Sequence, residues 1–174
     1  MISRMRWILL CFLAVILAFN ATACSKKEAA SKKETGTGIY YTNEKYIKLI
    51  HVDKKLDVKE NGQLGAEELL DDMRKVNKKS NYRSAIPDKV VVNSVTVLNN
   101  VASVDFSTGY KKISNNQDLI CRAAIVYTLT QLKAINYVEF SISGQSMLDT
   151  DGKAYGALNN DSFVFGNLPV DLEN

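Results

Sequence analysis

Five valines fall between residues 90 and 98 (Val90, Val91, Val92, Val95 and Val97), and Asn99-Asn100 follows directly. β-Branched side chains restrict χ1 and favour extended backbone, so this stretch predicts the strongest strand of the chain. Asparagine tolerates the positive φ that a tight hairpin turn demands. Val101-Ala102-Ser103-Val104-Asp105-Phe106 then reads as the returning strand.

Other elements arrange themselves around this hairpin. Ile39-Tyr40-Tyr41-Thr42 and Tyr46-Ile47-Lys48-Leu49-Ile50-His51-Val52 are β-rich and partly alternating, with Asn43-Glu44-Lys45 between them, and predict a first hairpin. Lys59-Glu60-Asn61-Gly62 breaks that pattern. A first helix is predicted over residues 66–78, with Leu69, Met73 and Val76 on one face and Leu70 beside them. Glu67 and Glu68 in its first turn and Lys75 and Lys78 toward its end match the helix dipole. Pro87 holds Ile86 extended after the helix. Ser114-Asn115-Asn116-Gln117 fits a capping box, Asp118 adds a first-turn charge, and the apolar run predicts a second helix reaching residue 132. Tyr137-Val138-Glu139-Phe140-Ser141-Ile142-Ser143 alternates cleanly as a strand, and Gly144-Gln145 turns it toward a short last strand at residues 146–148. The order β-β-α-β-β-α-β predicts an α+β fold: a two-layer sandwich of one mixed or antiparallel sheet with two helices on one face.

The N-terminus is of another kind. Arg4 and Arg6 precede an uncharged apolar run from Trp7, and Ala21-Thr22-Ala23-Cys24 closes it with small residues. That layout predicts a secretory signal over residues 1–23. The run is borderline in length for a membrane span, so an uncleaved anchor is the alternative reading. Either one places the remaining chain outside the membrane. Ala21-Thr22-Ala23-Cys24 resembles the lipobox of bacterial lipoproteins, with Ala21 where leucine is usual. The resemblance implies a diacylglyceryl thioether on Cys24, and two acyl chains suffice for stable anchoring where one does not. Residues 24–37 include SKKE written twice and lack aromatic and branched apolar side chains, which predicts a flexible tether. Such a coil reaches ~20 Å on average.

Loss of the signal removes Arg4 and Arg6, leaving 22 − 2 = 20 basic against 19 acidic residues. A nearly neutral chain gives no electrostatic reason to expect a nucleic-acid partner. About 130 residues beyond the tether are enough for one domain with its own core. The domain is placed at residues 38–165, and residues 166–174 form a C-terminal tail. Cys121 is the one thiol of that domain, so packing rather than a disulfide must hold it.

Residues able to carry chemistry are few. A Ser-His-Asp hydrolase needs a histidine base, and His51 is the only histidine, placed within a predicted strand. One histidine and one thiol show no zinc-ligand spacing. Cys121 lies among Ile120, Ala124 and Ile125 and reads as packing. Asp149-Thr150-Asp151-Gly152 lacks the remaining positions of a calcium loop and reads as a turn. No phosphate-binding glycine loop or carboxylate pair stands out, so neither an enzyme nor a bound cofactor is expected.

Several segments together resemble the GerMN domain, named for sporulation and germination. They are Ser84-Ala85-Ile86-Pro87 before the Val90 strand, Asn99-Asn100-Val101-Ala102-Ser103-Val104-Asp105-Phe106-Ser107, Ile125-Val126-Tyr127-Thr128-Leu129-Thr130, and Val138-Glu139-Phe140-Ser141-Ile142-Ser143-Gly144. Ile39-Tyr40-Tyr41 and Tyr46-Ile47-Lys48-Leu49-Ile50 are similar to the family's first hairpin. Residues 78–81 and 158–162 depart from the family pattern, both in loops. The resemblance implies a two-layer α/β domain on membrane-anchored lipoproteins that assemble with envelope proteins rather than catalyse reactions.

The reading is therefore a lipoprotein held on the outer face of the cytoplasmic membrane by Cys24. Its partners are the membrane and envelope proteins, and self-association is allowed. Residues 39–42 and 137–143 are the candidate edge strands for partner addition. The alternative is a small-ligand or cell-wall-binding lipoprotein, with Tyr40, Tyr41, Tyr46 and Tyr82 lining a shallow site.

Overall fold

The computed structural model describes residues 37–55 and 62–163, and the backbone of a strand at Val170–Glu173. The signal, Cys24 and the tether up to residue 36 lie outside the described residues, as do Lys59, Glu60 and Asn61.

The first hairpin pairs β1 (Gly38–Thr42) antiparallel with β2 (Leu49–Asp53). Its connection is longer than expected. Asn43 Oδ1 accepts the Ile47 N–H at 3.0 Å and Tyr46 takes a φ of 52°, so β2 begins at Leu49 and not at Tyr46.

Helix α1 (Gly62–Asp72) starts four residues earlier and ends six earlier than periodicity predicts. Gly62 fits against Ala134, whose Cβ lies 2.5 Å from where a Cβ on Gly62 would sit, and Gln63 is held by backbone groups of Val95 and Val97. At the other end Arg74 and Lys75 turn back onto the Asp71 and Asp72 carbonyls in three-residue turns, which stop the helix.

Strand β3 (Val92–Leu98) and strand β4 (Val101–Phe106) form the expected hairpin. Asn99 and Asn100 both take positive φ, 49° and 63°, as a two-residue turn requires. Val90 and Val91 fall short of the strand because their backbone groups go elsewhere: Val90 N–H to Pro87, and Val91 to Ser107.

Helix α2 (Asn115–Leu129) carries the expected capping box in full: Ser114 Oγ accepts from the Gln117 N–H, and the Gln117 side chain accepts from the Ser114 N–H. The helix returns the chain to β5 (Tyr137–Ile142), which runs parallel to β4, and β6 (Gln145–Ser146) pairs back antiparallel. A strand missed in sequence, β7 (Val170–Glu173), pairs parallel with β2 inside the segment read as a tail.

The α+β class and the β-β-α-β-β-α-β order stand. The strands, however, fall into two hydrogen-bonded groups, β1-β2-β7 and β3-β4-β5-β6, and do not make one continuous sheet. Helix α2 is buried on all sides, and its Thr128, with Gln131 just beyond its end, bonds to β1. Ile120, Ala124, Ile125 and Leu129 are buried in the core, and Phe106 stacks on Tyr110 and Phe140 with ring centroids 4.6 and 5.9 Å away. Each such aromatic pair adds about 1 kcal/mol beyond its buried area.

Candidate functional site

The capping box at Ser114 fixes the first turn of α2 and so aims Asp118 and Arg122 along one side of the helix. They stand four residues apart, the spacing that brings side chains together on a helix. Arg122 Nε and Nη2 donate to the two Asp118 oxygens at 3.0 and 2.6 Å. A 3-10 turn over Thr108–Lys112 presents Tyr110, whose hydroxyl donates to Asp118 Oδ1 at 2.8 Å. The loop after β6 brings Tyr155 over the Arg122 guanidinium, 4.1 Å from ring centroid to Cζ.

Tyr110, Asp118 and Tyr155 border a cavity of about 440 Å3 that Lys111, Ile142 and Met147 help to line. Burial alone would lower the Arg122 pKa, but the hydrogen bonds and charge of Asp118 outweigh it and raise it. Burial pushes the Tyr110 phenol well above its usual value, with Cys121 and Asp118 adding to the effect. The cluster is thus a fixed ion pair under two phenols. It holds Asp118 as an acceptor at the cavity wall.

A second concave feature lies between α1 and β3, also about 440 Å3. Leu70, Val92 and Val95 line it beneath Glu67, Asp71 and Arg74 on the helix.

The sheet edges differ from expectation. The outer edge of β1 is already taken: Gln131 pairs with Gly38, Thr128 Oγ1 accepts the Tyr40 N–H at 3.1 Å, and Thr42 exchanges backbone bonds with Arg83. Strand β5 is interior, with β4 on one side and β6, Met147 and Leu158 on the other. Residues 39–42 and 137–143 are therefore not open edges.

The tyrosine site is likewise not formed. Tyr40, Tyr41 and Tyr46 are buried core side chains, and Tyr82 packs against Tyr41 with centroids 4.7 Å apart. β-Strand alternation alone does not say which face meets the helix. His51 is buried, with Nδ1 3.3 Å from Asp53 Oδ1 and its ring edge-on to Tyr40. Burial, aided by the Asp118 charge, pushes the Cys121 thiol up to about 12, as an inert packing residue requires. Asp149 Oδ1 accepts the N–H groups of Asp151 and Lys153, both at 2.9 Å, and Gly152 takes a φ of 78°, so this segment is the expected turn. Among the described residues no three His, Cys, Asp or Glu side chains group to hold a metal ion, and no helix is long and apolar enough to cross a membrane. Cys24 lies outside the described residues.

Asp118 was read in sequence only as a first-turn charge, and Arg122, Tyr110, Tyr155 and Gln63 were not singled out. The four-residue spacing of Asp118 and Arg122 was the available signal; their partners come from distant loops.

These elements define a small α+β module. The chain belongs to the Germane family, described as sporulation and spore germination, which it matches over residues 38–148. Two solved structures share its fold. A Clostridium perfringens protein assigned as a lipoprotein aligns with a TM-score of 0.50 at 14% identity, covering 57% of this chain and 70% of that one. The tandem GerMN domains of the sporulation protein GerM from Bacillus subtilis align with a TM-score of 0.51 at 20% identity, covering 71% of this chain and 45% of that one. The chain thus spans less than half of that tandem structure. No curated protein matches the chain.

Proposed function

We propose that this chain is an extracytoplasmic lipoprotein, anchored through Cys24, whose GerMN domain serves sporulation or germination as a non-catalytic interaction module for envelope proteins. Membership of a family described as sporulation and spore germination, over residues 38–148, carries the reading. The basic, apolar and small-residue order ending at Cys24 supports the anchor. The burial of Cys121 and His51, and the locking of Asp118 onto Arg122, support a binding role over a catalytic one.

A second reading, binding of a small polar ligand, is favoured by the cavity bordered by Tyr110, Asp118 and Tyr155. Native mass spectrometry of the purified chain should separate the two, since a ligand retained there is lost when Tyr155→Ala opens the wall.

Cross-linking in intact cells, followed by detergent extraction and mass spectrometry, tests the first reading with Cys24→Ala as control. Specific envelope proteins are expected with the wild type and reduced with the variant. Capture of bulk wall or lipid alone sinks the module reading. An unchanged membrane fraction for Cys24→Ala sinks the lipid anchor.

A further inference from the structure

The positive charge of the domain gathers at one end. Residues 37–55 and 62–163 carry 15 basic against 13 acidic side chains, a net charge of +2. Five of the basic ones, Lys45, Lys48, Lys78, Lys79 and Arg83, belong to two neighbouring turns, where only Glu44 and Asp88 oppose them, a net +3. The rest of these residues then hold 10 basic against 11 acidic side chains, a net −1. Backbone bonds exchanged between Thr42 and Arg83 hold the two turns together. The first turn joins β1 to β2. Its Tyr46 takes a φ of 52° and is buried, while Lys45 is exposed and Ile47 is 52% exposed. The second is closed by the Ser80 N–H on the Asn77 carbonyl at 2.9 Å and carries Lys78 and Lys79, both exposed, between those two residues. Among the described residues Lys45, Lys78 and Lys79 meet no carboxylate, and Arg83 meets only the exposed Asp88, at 3.6 Å. A concave space of about 620 Å3 separates the turns, with Asn43, Lys45 and Ile47 on one side and Asn81, Tyr82 and Arg83 on the other.

We infer that this end of the domain rests on an anionic phospholipid surface, with Ile47 among the head groups and Lys45, Lys78 and Lys79 against their phosphates. The inference rests on the reading that the chain is anchored in a membrane, and it adds a second contact made by the domain itself. Cations without carboxylate partners beside an exposed apolar side chain match a surface where phosphates overlie acyl chains. The anchor makes the contact intramolecular, so a surface too weak to bind free protein suffices. Residues 24–37 span at most about 50 Å, and the five residues of β1 span about 17 Å, so the far end of β1 reaches the surface that holds Cys24. The net negative charge of the remaining residues sets which end faces the lipid.

The test uses the full chain, purified in detergent and reconstituted into vesicles, with photo-cross-linking p-benzoylphenylalanine in place of Ile47. The control carries the probe in place of Leu148, equally exposed and apolar at 58% but beside Asp149. In vesicles of phosphatidylcholine mixed with phosphatidylglycerol, the Ile47 probe should give at least fivefold more phospholipid adduct than the Leu148 probe. It should also give at least fivefold more than in phosphatidylcholine alone. In 1 M sodium chloride screening acts over about 3 Å, and the adduct should fall at least threefold. The triple variant Lys45→Glu, Lys78→Glu and Lys79→Glu should lose it to the same extent, while Lys111→Glu with Lys112→Glu keeps it. Equal adducts in the two kinds of vesicle, at the two probe positions, or with and without the three lysines overturn the inference. In intact cells the Ile47 probe should again capture lipid, and capture of a protein or a wall polymer in its place overturns the lipid occupant. Intact mass reads the anchor separately. A chain without diacylglyceryl on Cys24, held in the vesicles by its apolar run, removes the lipid anchor while the Ile47 adducts still decide the contact.

Discussion

Gln131 binds Gly38 in both directions: its Oε1 accepts the Gly38 N–H at 2.8 Å, and its Nε2 donates to the Gly38 carbonyl at 2.8 Å. The side-chain amide stands in for a neighbouring strand and closes the first residue of β1. Gln131→Ala leaves both groups unpaired in a partly buried place, which costs about 1–3 kcal/mol. Urea unfolding should show a lower midpoint with an unchanged slope. Gln131→Glu keeps the acceptor but sets a carboxylate oxygen against the Gly38, Tyr127 and Thr128 carbonyls, so a loss at least as large is expected. An alanine variant as stable as the parent would show that water replaces the amide freely.

Asp105 ties three strands together on the exposed face of the larger sheet. Its Oδ1 accepts from Ser141 Oγ at 2.6 Å and the Gly144 N–H at 2.8 Å, and its Oδ2 accepts from Asn93 Nδ2 at 2.8 Å. Burial acts to raise its pKa, but these hydrogen bonds outweigh it and hold the carboxyl below its usual value. A native pKa below the unfolded one gives stability that is complete above the unfolded value, about 3.9, and lost as pH falls through the native value. Asp105→Asn should therefore flatten the fall in stability below about pH 4. Asp72, whose carboxyl is also lowered, with Lys54 and Lys75 outweighing burial, leaves a residual slope. The same slope in wild type and variant, followed by unfolding at a series of pH values, would rule out this role.

Arg122 is nearly buried, its side chain 7% exposed, and Asp118 is 28% exposed. Removing one partner of such a pair leaves a charge without compensation, costing about 3 kcal/mol. Arg122→Ala is expected near that figure, since it also strips the surface on which Tyr155 lies. Arg122→Met combined with Asp118→Asn should recover part of the loss. A double-mutant cycle in thermal unfolding reads the coupling directly, and additive losses would mean that the pair contributes little.

What was legible in the sequence was local. The capping box at Ser114 and Gln117, the Asn99-Asn100 turn and the turn at Asp149 each depend on residues within four positions of one another, and each formed as read. Long-range closure was not legible. Gln131 lies 93 residues from Gly38, and Gln63 lies 32 and 34 residues from the two β3 groups it meets. Nothing in strand periodicity tells which edge a distant amide will cover, so β1 and β5 read as open while β3 passed unnoticed. The start of α1 failed for the same reason: the pull of the β3 edge on Gln63 outweighs the weak helix propensity of Gly62. Strand β7, with four residues, is too short for alternation to mark it.

Cys121 gives a test of core rigidity. Its thiol is fully buried beneath Tyr110, and burial with the Asp118 charge pushes it up to about 12. The thiolate is the reacting form, so at pH 8 neither ionisation nor access favours modification. A chain with Cys11→Ser and Cys24→Ser isolates this thiol. It should resist a maleimide for hours in the native state and react within minutes in concentrated guanidinium chloride. Because modification needs opening, the native rate reports how often α2 lifts from the sheet. It should rise in Gln131→Ala, which loosens the contact between β1 and the end of α2. Fast labelling of the native parent would show an accessible thiol and contradict the packing described around α2.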